Sequence, residues 1–161
     1  MPEAKLLDTP KAMLSGISWR GAAEILVLFG ALNLLWEIAQ LPLYGIWYEA
    51  SLGDIAFAVL HCTVGDVLIG INSTIVALLV AAGLYRSTHP PLWAVGLILV
   101  LIATTYTIYS EWLNVFVRKS WSYSELMPTM PPLGTGLSPM AQWLILPAVT
   151  IWIVKSRRRR P

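Results

Sequence analysis

The chain has 161 residues, of which 57% are hydrophobic and only 12% charged, and its mean hydropathy is +0.66. A soluble domain carries about a quarter charged residues, so this composition excludes an ordinary soluble enzyme and indicates membrane spans. The single cysteine, Cys62, excludes a paired-thiol redox centre, and no basic recognition module for nucleic acid is present.

Four apolar runs follow in chain order, at about 22–42, 55–84, 92–117 and 139–155. Each is long enough to cross or nearly cross a bilayer core, which takes roughly 20 helical residues. Backbone polar groups cannot go unpaired in lipid, so all four are expected to be helices. Pro42 closes the first run. No A-x-A-like site follows that run, so it reads as a retained span rather than a cleaved signal. Pro139 suits the first turn of the fourth helix, and Pro147 is expected to kink it. The expected fold is an all-α integral membrane protein, residues 1–161 forming one four-helix transmembrane bundle.

Lys and Arg set the orientation. Lys5, Lys11, Arg20, Arg86, Lys155 and Arg157, Arg158, Arg159 and Arg160 fall on one side, nine of the eleven; only Arg118 and Lys119 fall on the other. Both termini are therefore expected in the cytoplasm, with the basic tail 155–161 as a topology anchor. The 43–54 and 118–138 loops are expected outside an inner (cell) membrane. The 118–138 loop holds Trp121, Tyr123, Leu126 and several prolines. A disordered linker would be more polar, so an ordered aromatic and proline-rich outer cap is expected.

The polar residues of the spans form faces. Asn33, Trp36, Glu37 and Gln40 lie on one face of the first helix. The second carries His61, Gly65 and Asn72 beside Cys62, Asp66, Gly70 and Ser73. The third carries Thr104, Thr107, Glu111 and Asn114, with Tyr106, Tyr109 and Ser110 beside them. With a helical rise of 1.5 Å per residue, Glu37, His61, Asp66 and Glu111 fall roughly 5–15 Å to the outer side of the midplane. No Lys or Arg lies at that depth. A bare buried carboxylate is costly, so protons or a cation must accompany these groups.

Several of these residues also have plainer readings. Asn33, Gln40, Asn72 and Asn114 suit interhelical hydrogen bonding, and the glycines suit close helix packing. Cys62 suits packing, Asp54 a helix cap, and His89 a structural role. Glu24 and Glu125 sit near interfaces and are expected to be solvated.

The expected function is a small membrane enzyme, a hydrolase or isomerase, acting in the outer half of the bilayer on a lipid-like or amphipathic substrate. Glu37, His61, Asp66 and Glu111 are the candidate catalytic residues; Asn33, Trp36, Gln40, Tyr109 and Asn114 are candidates for binding substrate or supporting the site. Without metal, a protonated Glu111 or Glu37 would be the acid and His61 with Asp66 the base. With metal, the same four side chains would hold Zn²⁺, Fe²⁺ or Mn²⁺. Two alternatives belong to other classes. One is an assembly subunit whose acidic residues meet a partner's Lys or Arg; the other is a proton or cation transporter.

Overall fold

The computed structural model describes residues 19–158. Lys5, Lys11, Arg159 and Arg160, four of the residues used above for orientation, lie outside the described residues. Helix α1 runs Trp19–Gln40. Pro42 has no N–H with which to continue it, so the chain tightens into a 3-10 turn at Leu41–Leu43. One more turn, α2, spans Ile46–Glu49. Helix α3, Leu52–Tyr85, begins at Ser51, whose hydroxyl accepts from Asp54 N–H and donates to the Asp54 carboxylate at 2.7 Å. The cap residue is therefore Ser51, and Asp54 supports it from the third helical position instead of capping the helix itself.

Helix α4, Leu92–Trp112, starts after Pro91. It widens into a π-helical turn at Leu113–Val117, where Arg118 N–H donates to the Leu113 carbonyl at 2.8 Å. Helix α5 is Leu137–Arg158, with Pro147 inside it. The structure is thus mostly helical, with four helices long and apolar enough to cross a membrane. Several ends lie a turn or so beyond the expected limits. Caps and turns set helix ends, and hydropathy does not report them.

The helices pack as a ring, α1 against α3, α3 against α4, α4 against α5 and α5 against α1. Arg157 near the end of α5 sits 3.8 Å from Glu24 near the start of α1. At that end of the bundle Ala77 and Ala81 of α3 pack on Val95 of α4. These small side chains let the two helices touch. Most large apolar side chains face outward, as expected where lipid is the solvent and packing and polar contacts drive association. Gly70 of α3 shows this closeness: a Cβ there would meet the Phe29 ring of α1 at 2.8 Å.

Residues 118–136 fold over the other end, which we call the capped end. The segment is stitched to residues 42–45. Gly45 N–H donates to the Ser122 carbonyl at 2.9 Å, Ser124 N–H to the Leu43 carbonyl at 3.0 Å, and the Ser124 hydroxyl to the Pro42 carbonyl at 2.8 Å. A two-residue antiparallel pair, β1 (Thr129–Met130) with β2 (Thr135–Gly136), then turns the chain into α5. This stitching presents Tyr123 to the bundle interior.

Candidate functional site

A cavity of about 890 Å³ occupies the capped half of the bundle, within the usual size range for small-molecule sites. Its back wall is Glu37 and Gln40 of α1 with Gln142 and Trp143 of α5; Trp121 closes its roof. Its flanks are α3 and α4, which touch at Ala77, Ala81 and Val95 and leave the cavity between them nearer the cap. His61, Leu68, Asn72 and Val76 recur along one face of α3 and Tyr106 faces them from α4; all five line the cavity and are exposed. The cavity therefore opens sideways between α3 and α4.

Two carboxyl centres line it. The first is Glu37 with Asp66, neighbouring carboxyl groups on the cavity wall. Two buried carboxyl groups side by side cannot both ionise cheaply, which favours a proton between them. Gln40 Nε2 donates to Glu37 Oε1 at 2.8 Å. Gln142 Nε2 donates both to Asp66 Oδ2 and to Asn33 Oδ1, each at 2.7 Å. Ser138 of α5 donates to Gln40 Oε1 at 2.8 Å. One amide network thereby ties α1, α3 and α5 together, with Asn33, Glu37, Gln40 and Gln142 all buried.

The second centre is Glu111, buried at the end of α4. Two phenols converge on its Oε2: Tyr123 at 2.5 Å and Tyr44 at 3.4 Å. Receiving two phenol donors, Oε2 acts purely as an acceptor. The phenols keep their protons. Burial, with the Glu111 charge beside it, pushes Tyr44 well above the ordinary phenol value. Burial and the bond to Glu111 push Tyr123 up as well. Tyr123 is held in turn by Gly136, whose N–H donates to its hydroxyl at 2.9 Å. A side chain at position 136 would run into Met127 and the Tyr123 ring.

The four candidate catalytic residues, Glu37, His61, Asp66 and Glu111, all line this cavity. They do not form one constellation. No hydrogen bond joins His61 to Asp66; the His61 ring is exposed and stacks on Phe57, with centroids 5.7 Å apart. The two residues are five apart, which on a helix turns them away from one another. Among the described residues no three His, Cys, Asp or Glu side chains gather closely enough to hold a metal ion. The expected Zn²⁺, Fe²⁺ or Mn²⁺ centre therefore lacks a ligand set: Glu37 and Asp66 supply two ligands, and Glu111 is engaged by the tyrosines.

The candidate supporting residues divide. Asn33 and Gln40 join the amide network. Asn114 lines the cavity but spends its Nδ2 on Ser110, one turn back. Trp36 is not part of the wall, and its indole N–H finds no partner. Tyr109 is exposed and lines a separate shallow recess on the flank of α4. Gln142, Ser138 and Tyr44 were absent from the sequence-based set. Gln142 carried a readable signal, an amide inside an apolar span; Tyr44 carried none, because only the folded turn after Pro42 brings it to Glu111.

Comparison with protein-family models, with curated proteins and with solved structures gives no match.

Proposed function

We propose that the chain is a membrane-embedded enzyme that performs proton-transfer chemistry, a hydrolysis or an isomerisation, on an amphipathic or lipid-like substrate. In this reading the substrate enters sideways between α3 and α4. Glu111 acts as the base, and the Glu37–Asp66 pair is the proton store. The observation that carries the reading is the form of the Glu111 site. Both phenols bind Oε2, while Oε1 accepts no hydrogen bond among the described residues and has the Trp121 indole beside it on the cavity wall. Buried carboxyl oxygens usually find partners, so an oxygen left open on a cavity wall suits a group that meets a ligand. In the same reading both termini are cytoplasmic, the membrane is an inner membrane, and residues 118–138 cap the site from outside.

The test is direct. The protein in nanodiscs is incubated with a total membrane-lipid extract, and the lipids are profiled by mass spectrometry. Wild type is expected to deplete a lipid species and yield a product that Glu111→Gln does not. Identical profiles for wild type, Glu111→Gln and empty discs would remove the enzymatic reading.

One observation favours a second reading, an assembly subunit. The sideways opening carries exposed Tyr106, Asn72 and His61, and a partner helix bearing Lys or Arg would fit against it. A stoichiometric membrane partner that co-purifies with wild type and is lost with Glu37→Gln would establish that role.

A further inference from the structure

Besides its carboxyl groups, the cavity wall holds an arginine. Arg118 follows the π-helical turn at the end of α4; it lines the cavity and is exposed. Among the described residues the one ion pair is Arg157 with Glu24, so the Arg118 guanidinium has no carboxylate of the protein beside it. The acidic side chains on the wall each have a protein donor of their own. Glu37 takes one from Gln40, Asp66 from Gln142, Glu111 from Tyr123 and Asp54 from Ser51. Ser120 lines the cavity too, whereas Lys119 between it and Arg118 does not. Lys119 takes a left-handed conformation, with φ 55°, which is uncommon for a residue with a side chain. Ser120 N–H closes this turn by donating to the Asn114 carbonyl at 2.8 Å. The backbone is thus bent so that a guanidinium and a hydroxyl, two kinds of donor, face the same space.

Depth adds to the charge argument. Arg118 sits where the apolar run of α4 ends, the level of lipid head groups. From Arg118 back to Ile102, which also lines the cavity, the chain covers about 24 Å at the helical rise. One leaflet supplies about 15 Å of hydrocarbon, half of the bilayer core. A lipid of the leaflet on the capped side therefore keeps its head at its usual depth while one chain lies in the sideways opening along Leu68, Val76 and Ile102. A neutral head leaves the guanidinium unmatched, and an ammonium meets it with like charge. A phosphate accepts from a guanidinium through two oxygens, and its remaining oxygen suits the Ser120 hydroxyl. It is also the anion that every phospholipid carries at this level.

We propose that the cavity between α3 and α4 seats a phosphate-headed lipid of the leaflet on the capped side, its phosphate on the Arg118 guanidinium and the Ser120 hydroxyl and one chain in the sideways opening. This deepens the enzymatic reading by naming the head group, and it rests on that reading only for the lipid being a substrate. Glu111 then lies about 10 Å deeper along α4 than the head, beside the start of the chain. Binding is measured apart from turnover, so either claim can fail alone. A lipid phosphate held through Arg118 with no lipid converted leaves this proposal standing and removes the enzyme. Conversion of a lipid that carries no phosphate, without binding of one that does, has the opposite consequence.

The experiment is equilibrium binding of radiolabelled hexadecyl phosphate to the full chain in maltoside micelles, which contain no phosphate, with empty micelles subtracted. Saturable binding is expected, with hexadecanol and hexadecylamine each at least tenfold weaker as competitors. Equal competition by either would overturn the proposal, because no anion would then be read. Palmitate competing more tightly than hexadecyl phosphate itself would overturn the choice of phosphate. Arg118→Gln removes a charge that no carboxylate of the protein pairs, so the variant should fold, and its affinity is expected to fall at least tenfold, as for loss of a charged hydrogen bond. Lys119→Gln, next to it but off the wall, is expected to change affinity less than twofold. Equal losses for the two would reduce the effect to surface charge and refute the site. Leu68→Trp fills the opening from an exposed position and leaves the head group's donors intact. It is expected to weaken binding at least threefold, and unchanged affinity would refute the placement of the chain.

Discussion

Glu111 depends on two phenols from separate parts of the chain, and their contributions should differ. Tyr123 donates at 2.5 Å and Tyr44 at 3.4 Å. Hydrogen bonds to charged groups contribute about 1.5–3 kcal/mol. Tyr123→Phe is therefore expected to lower stability by about 2 kcal/mol, with a clearly smaller loss for Tyr44→Phe; thermal unfolding of the two variants in nanodiscs checks the order. The phenols also impose a pH dependence. Both titrate above the ordinary value when folded, so the folded state holds their protons more tightly than the unfolded chain does. Their contribution is fully present below about pH 10 and fades as pH rises from there through the folded-state values. Wild type should lose stability above about pH 10 more steeply than Tyr123→Phe, as read from Tm across an alkaline series. Gln142 is the matching residue of the other centre. Gln142→Leu strands the Asp66 and Asn33 acceptors it serves, and each buried group left unpaired costs about 1–3 kcal/mol. A marked fall in Tm, larger than for Asn72→Leu on the exposed face of α3, is the expected reading.

At the scale of elements, close helix approach shapes the cavity. Gly70 lets α1 come against α3 through Phe29. Gly65, one turn and a half away, meets nothing within 4 Å. Gly70→Leu is expected to force the helices apart and cost about 1–3 kcal/mol by overpacking, whereas Gly65→Ala should leave stability unchanged or slightly raised. Equal Tm values for the two would contradict this packing. The connection between α4 and α5 matters in the same way. Its hydrogen bonds to residues 42–45 carry Tyr123 to Glu111, so the cap and the site are one construction. The aromatic and proline content of this segment was plain in the sequence. Its docking on the Pro42 turn was not, because backbone hydrogen bonds between distant loops leave no residue pattern.

For the whole molecule, the proposed orientation rests on charge. With nine of eleven Lys and Arg on one side, a reporter active only outside the cytoplasm should be silent when fused after residue 161 and active when inserted near residue 125. The reverse pattern would invert the proposed access to the cavity. The four helices themselves could be read from the sequence alone. A bilayer leaves few choices to a long apolar run, because its backbone must pair within itself. The polar faces of α1, α3 and α4 were legible for the same reason: an ionisable residue stands out against Leu, Ile and Val. Helical period fixes a side chain's angle and depth on its own helix and says nothing about its neighbours. Only the tertiary structure decided that Gln142 of α5 joins Asp66 of α3 to Asn33 of α1, that His61 turns to Phe57, and that Glu111 is held by tyrosines lying 67 and 12 residues away. Those choices depend on which helices adjoin in the ring and on how closely Gly70 and the alanines let them approach, and these are properties of packing between segments.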